Sequence, residues 1–79
     1  NLRVRHKPAL DGLKRTQTAI AHASKTLMDR GRIFVRYSGT EPSLRVLVEG
    51  PRKAENAEIA GAVARTYLTE TGQTEEAHS

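Results

Sequence analysis

The sequence predicts an α+β domain in which two helices cover one face of a small, mainly antiparallel sheet. Three observations lead to this fold class. The chain has 79 residues, which suits one small domain. Two aliphatic and β-branched runs are separated by a short loop, as in a hairpin. Two longer stretches repeat apolar residues every three or four positions, as in amphipathic helices. The predicted order is therefore strand, helix, strand, strand, helix.

The first strand and the first helix come from the amino-terminal part of the chain. Residues 1–5 alternate apolar and basic side chains with a period of two, which is typical of a strand, and Pro8 follows its end. Residues 13–29 place apolar side chains at helical spacing, and Gly31 suits the end of such a helix. The chain opens without methionine inside the expected strand. This start predicts a piece of a longer protein, although processing of the amino terminus would leave the same letters.

The hairpin and the second helix complete the predicted fold. The two strands are expected over residues 33–37 and 44–49. After Pro51, apolar residues recur at helical spacing to about Thr69, which indicates a second amphipathic helix. Residues 71–79 are polar and have no apolar period, so a disordered tail is predicted there.

Composition excludes several classes of protein. The chain has no cysteine, which rules out disulfides and cysteine zinc sites. It has no apolar run near the roughly 18 residues that cross a bilayer and no signal peptide at its start, so a soluble, cytoplasmic protein is expected. The aspartates form no close cluster, and the histidines stand at no metal-ligand spacing. We therefore expect no metal site in this chain. The three histidines are His6, His22 and His78.

Positive charge is concentrated in the first half of the chain. Residues 1–36 carry nine Lys and Arg against two Asp, whereas residues 37–79 carry four against seven Asp and Glu. A surface that binds anions should therefore come mainly from the first half. A small basic nucleic-acid-binding module is one alternative, but the chain has only three aromatic residues on which bases could stack. A protein-interaction module with a purely structural loop is another.

The loop between the hairpin strands carries the functional prediction. If the two strands pair with Val35 opposite Val46, Arg36 lies directly opposite Arg45, and these like charges repel. A shift of the register by two residues would keep both arginines on the same face. A bound anion would relieve the repulsion. Gly39 lets backbone N–H groups approach a ligand, and Ser38 and Thr40 add hydroxyl groups. Arginine matches phosphate with two parallel hydrogen bonds. The sequence thus predicts a phosphate-binding loop, with an ordinary serine-glycine turn as the alternative.

The same register assigns side chains to the two faces of the hairpin. On the inner face, which the helices would cover, aliphatic residues oppose one another. On the outer face, an apolar pair and a pair of opposite charges accompany the two arginines. The predicted pairs are Val35 with Val46, Ile33 with Val48, Phe34 with Leu47, and Arg32 with Glu49.

The loop also resembles a known motif. Residues 36–42 read R-x-S-G-T-E-P and are followed by Arg45 and by V-L-V-E-G over residues 46–50. This string resembles the C-terminal domain of the α-D-phosphohexomutase superfamily, and within it the phosphoglucosamine mutases. The resemblance covers residues 2–68 and is strongest around the hairpin. Glu41 belongs to the family string, so its negative charge is no departure from the pattern.

The resemblance implies a function for part of an enzyme. Residues 1–70 would be the last of four domains of an isomerase that interconverts glucosamine 6-phosphate and glucosamine 1-phosphate, with a phosphoglucomutase or phosphomannomutase as the alternative. The phosphoserine nucleophile and a Mg²⁺ site would lie in other domains, so the isolated domain would be inactive and would contain no catalytic residue. The implied partners are the phosphosugar, a bisphosphorylated sugar intermediate and the other domains, with neither nucleic acid nor membrane. The implied phosphate ligands are Arg36, Ser38, Gly39, Thr40 and Arg45.

Overall fold

The structure of the protein is a computed structural model that describes residues 2–73. The strands and helices follow the predicted order, and the α+β fold class is confirmed. Two short 3-10 turns, Leu10–Gly12 and Met28–Arg30, flank the first helix. The five main elements are β1 (Leu2–Arg3), α1 (Lys14–Leu27), β2 (Arg32–Tyr37), β3 (Ser43–Glu49) and α2 (Lys53–Thr71).

The three strands form an antiparallel sheet with β3 in the centre. The predicted hairpin register is confirmed, with Arg36 opposite Arg45 and the aliphatic pairs on the inner face. The first strand was predicted over residues 1–5, but β1 ends at Arg3. The main chain makes one further bond, from the Val4 N–H to the Pro42 carbonyl (2.8 Å). Because Pro42 has no N–H to donate in return, the ladder stops there.

The hydrophobic core lies between the inner face of the sheet and the two helices. Val4, Leu44 and Tyr67 are buried at its centre, and Val35 and Val46 pack against them. Apolar side chains at helical spacing supply the covering layer, as the sequence predicts. The helical residues buried there are Ala23 and Leu27 of α1 and Val63 and Tyr67 of α2.

The beginning of α1 is held by a carboxylate of α2. Glu70 accepts hydrogen bonds from the Arg15 N–H (2.9 Å), the Thr16 N–H (2.7 Å) and the Thr16 hydroxyl (2.8 Å). These N–H groups have no partner within the helix, so a side chain from another element completes its first turn. Desolvation by burial would raise the pKa of Glu70, but the hydrogen bonds from Arg15 and Thr16 outweigh it and lower the pKa. The two helices are thereby joined at one end.

The first helix ends earlier than predicted. The sequence places its end near Asp29, whereas α1 ends at Leu27 because Met28 adopts a φ of 53°, outside the helical range. The chain then makes its 3-10 turn and enters β2 through Gly31. A Cβ atom on Gly31 would lie 1.9 Å from the Glu49 carbonyl oxygen. Gly31 is therefore required by the close approach of the β3 backbone.

The end of α2 is fixed by a glycine and a buried glutamine. Gly72 has a φ of 74°, and the N–H groups of Gly72 and Gln73 bond back to Thr69 and Leu68 in a Schellman motif. Gln73 is only 8% exposed, and its Oε1 accepts the Arg5 N–H at 2.6 Å. The tail was predicted over residues 71–79; its first three residues end the helix in this way, and residues 74–79 lie outside the described part of the chain.

Candidate anion-binding loop

The candidate site lies at the end of the β2–β3 hairpin that faces away from Gly31. The loop over residues 38–42 is closed by a hydrogen bond from the Ser38 N–H to the Ser43 carbonyl (2.9 Å). A tight turn around Pro42 follows, in which the Ser43 N–H bonds to the Glu41 carbonyl (2.8 Å). These bonds hold the loop in one compact conformation between the two strands.

Two backbone N–H groups of the loop converge on one oxygen atom. The N–H groups of Thr40 and Glu41 lie 3.4 and 3.3 Å from Ser38 Oγ. Both distances are at the long end of the hydrogen-bond range, so the two donors are only weakly engaged. Converging N–H groups of this kind form a concave site for an anion oxygen. A Cβ on Gly39 would meet nothing within 4 Å, so the space beside these donors is open.

The outer face of the sheet places two unpaired cations next to the loop. Arg36 and Arg45 are exposed, lie directly opposite each other and form no ion pair with any carboxylate of residues 2–73. Further along the same face, the Arg32 guanidinium lies 3.5 Å from the Glu49 carboxylate. Charge is therefore compensated at one end of this face and uncompensated at the loop end, which favours an anion there.

The two arginines share a groove with apolar side chains. Phe34 and Leu47, which are 47% and 45% exposed, line it together with Arg36 and Arg45, and the groove has a volume of about 290 Å³. The Arg32 guanidinium lies 5.9 Å from the centre of the Phe34 ring, in the range of a cation–π contact. The site is thus an open groove with cations next to the loop and an apolar surface beside them.

Sequence reasoning missed a third cation at this loop. The Lys7 Nζ donates to the Ser38 carbonyl oxygen at 3.2 Å. Lys7 is 31 residues from Ser38 along the chain, and no periodicity in the sequence relates the two. The pairing of β1 with β3 brings the segment after β1 beside the loop. The position of Lys7 therefore depends on tertiary contacts, which leave no signal in the sequence.

The structure brings all five predicted phosphate ligands to one end of the hairpin. The two arginines lie on the outer face, and the other three lie in the loop between them. Their role as ligands stays a prediction. Glu41, in the same loop, forms no ion pair with any cation of the described residues. The five residues are Arg36, Ser38, Gly39, Thr40 and Arg45.

Within residues 2–73, no three or more His, Asp or Glu side chains come together in a way that could hold a metal ion. His6 lies between β1 and α1, His22 lies in α1, and His78 is outside the described residues. Neither helix in the described part of the chain has the length and apolar character that spanning a bilayer requires.

Comparison with known proteins gives a consistent set of relatives. The family described as "Phosphoglucomutase/phosphomannomutase, C-terminal domain" matches residues 1–66. The phosphoglucosamine mutase of Protochlamydia amoebophila is 40% identical over 91% of this chain and 16% of its own length. The phosphoglucosamine mutase of Sorangium cellulosum is 53% identical over 70% of this chain and 11% of its own length. That of Deinococcus radiodurans is 46% identical over 82% of this chain and 15% of its own length. The chain thus spans only about a sixth of these relatives or less, and no solved structure gave a significant match.

Proposed function

Because the chain belongs to the phosphoglucomutase/phosphomannomutase C-terminal domain family, we propose that it binds and orients the phosphate group of a phosphosugar within a larger mutase. The observation that carries this proposal is the pair of unpaired arginines beside a loop whose N–H groups converge. Arg36 and Arg45 offer forked donors to phosphate oxygens, and a dianion between them offsets their mutual repulsion. The loop donors bind the remaining oxygens.

The domain acts by positioning and performs no bond-breaking step. When one phosphate is held by the arginines and the loop, the opposite end of the sugar is directed to a reactive group elsewhere in the enzyme. Because the bound substrate is already held in that orientation, the reaction loses less entropy on reaching its transition state. Because the substrate presents first one end and then the other, the loop recognises phosphate and tolerates different sugars.

The substrate that we propose is glucosamine phosphate, interconverted between its 6-phosphate and 1-phosphate. Support comes from relatives named phosphoglucosamine mutase, at 40% and 53% identity. A phosphoglucomutase or phosphomannomutase is the alternative, because the family description names both. The nucleophile and any metal site would be contributed by other domains, which make up most of the length of these relatives.

Replacing Arg36 tests this function in the longer enzyme that contains the domain. Arg36→Ala removes one forked donor, and loss of a charge-assisted hydrogen-bond pair should raise the KM for glucosamine 6-phosphate about tenfold or more and slow turnover. Steady-state kinetics measure both constants. Arg65→Ala removes an exposed arginine of α2 and serves as the control. Unchanged kinetics for Arg36→Ala, equal to those of the control, would contradict the proposed function.

A further inference from the structure

We infer that Lys7 is a third cationic ligand of the phosphate site and that Tyr37 is the residue that positions it. The inference rests on the proposed function, because it assigns a further contact to the same phosphate. It goes beyond the loop motif, since Lys7 lies outside the hairpin, in the segment that joins β1 to α1.

The ammonium group of Lys7 has N–H donors that its contact with Ser38 does not use. An ammonium carries three N–H groups, and the contact with the Ser38 carbonyl at 3.2 Å uses one. Lys7 is exposed and forms no ion pair with a carboxylate of residues 2–73. An exposed contact of this kind contributes little to folding. The contact nevertheless adds a cation to a loop already flanked by Arg36 and Arg45, which raises the repulsion and favours an anion still more.

The segment that carries Lys7 is attached to the fold on both sides of this residue. Before it, the Val4 N–H bonds to the Pro42 carbonyl at the far side of the loop (2.8 Å). Immediately after it, the Pro8 carbonyl accepts the Tyr37 hydroxyl at 2.6 Å. Tyr37 is in turn the residue next to Ser38. The position of Lys7 relative to the loop is therefore set by bonds to both ends of that loop.

The hydroxyl of Tyr37 belongs to a directed chain of hydrogen bonds. A tyrosine has one proton to donate, and that of Tyr37 goes to Pro8, so Tyr67 donates to Tyr37 across 2.9 Å. Tyr67 in turn accepts from Gln73 Nε2 at 3.3 Å. Burial raises the pKa of Tyr37 far above its usual range. The hydroxyl therefore remains a donor to Pro8 at every physiological pH.

The role of Lys7 is tested by titrating the unaltered chain and its variants with inorganic phosphate at low ionic strength. Amide NMR signals of the loop report the dissociation constant. Lys7→Gln should weaken phosphate binding about three- to fivefold, which is the upper part of the range of an exposed charge pair, and Lys7→Arg should restore it. Lys25→Gln removes an equal charge from an exposed position of α1 and should have no comparable effect. Arg36→Gln should abolish binding.

The role of Tyr37 is tested by a double-mutant cycle. Tyr37→Phe removes the bond to Pro8 and should weaken phosphate binding in the unaltered chain. If Tyr37 acts through Lys7, the same change should have no further effect on binding when Lys7→Gln is already present. A purely structural role would instead lower the melting temperature to the same extent in both backgrounds and leave phosphate binding unchanged.

Each outcome has a distinct meaning. Equal dissociation constants for Lys7→Gln and Lys25→Gln, with binding lost in Arg36→Gln, would overturn the role of Lys7 and leave the proposed function standing. Unchanged binding in Arg36→Gln, or no saturable response to phosphate in the unaltered chain, would overturn both for this domain. Additive effects of Tyr37→Phe and Lys7→Gln would overturn the positioning role alone.

Discussion

At one end of the β2–β3 hairpin, Gly31 lies against the backbone of β3; at the other end, Gly39 faces open space. A Cβ on Gly31 would overlap the Glu49 carbonyl oxygen at 1.9 Å, whereas a Cβ on Gly39 would meet nothing within 4 Å. Gly31 is therefore required for the two strands to meet. Gly39 has no such requirement, and its φ is not positive either.

The charges on the outer face of the sheet also differ between these two ends, since they are paired near Gly31 and unpaired near Gly39. Next to Gly31, Arg32 is paired with Glu49, and its guanidinium also lies over the Phe34 ring. Next to Gly39, Arg36 opposes Arg45 without a counterion in the described residues. The closed end thus stabilises the fold, while the loop end keeps open space and unbalanced charge, as the proposed phosphate site requires.

The largest effect on stability is expected at the closed end. Gly31→Ala places a methyl group into the β3 backbone, which cannot move without breaking strand pairing, and should lower the free energy of unfolding by about 3 kcal/mol. Denaturant unfolding followed by circular dichroism measures it. A loss below about 1 kcal/mol would mean that the strands can separate at this end and that the contrast with Gly39 is overstated.

An intermediate effect of opposite sign is expected at the arginine pair. Arg45→Thr removes the repulsion with Arg36 and introduces a residue that suits a strand, so the free energy of unfolding should rise by about 0.5 kcal/mol at low salt. The gain should shrink as salt screens the charges. Arg32→Thr is the matched control, because it removes a paired arginine and should lower stability. A loss of stability in Arg45→Thr would show that this end carries no uncompensated charge.

The smallest effect on stability is expected at the loop glycine. Gly39→Ala finds space and does not require a positive φ, so the free energy of unfolding should stay the same or rise by up to about 1 kcal/mol. Phosphate binding should weaken nevertheless, because the new methyl group lies beside the converging N–H groups. Unfolding and phosphate titration of the same sample separate the two effects. Unchanged phosphate binding would argue against close approach of a ligand at Gly39.

The elements and the register of the hairpin could be predicted because their signals are local. Alternation sets the faces of a strand, and a short loop between strands leaves few registers that keep the β-branched residues of both strands on the buried face. The end of α1 depends on the backbone conformation of a single residue and the end of β1 on a contact with a distant one, so both predicted limits were less accurate. The end of α1 is set by the conformation of Met28, and the end of β1 by the missing N–H of Pro42. Neither is visible in periodicity.

The candidate site was predictable to the same extent as the hairpin. Arg36 and Arg45 are related by strand pairing, so their juxtaposition followed from the register. Lys7 and the hydroxyl of Tyr37 reach the loop through tertiary contacts. The sequence pattern identifies Tyr67 only as an apolar residue at helical spacing, although its hydroxyl forms a hydrogen bond with that of Tyr37. Contacts between distant elements carry no local pattern, and the sequence alone could not predict them.

The bond between the Arg5 N–H and Gln73 joins residues 68 positions apart. Closing a loop of that length costs more entropy than closing the short hairpin loop, and contacts of high sequence separation form slowly. We therefore expect the hairpin arginines to face each other early in folding and the segment carrying Lys7 to dock only after the last turn of α2 is in place. In this order of folding, the hairpin motif that resembles the family forms first, and Lys7, which lies outside the motif, reaches the loop last.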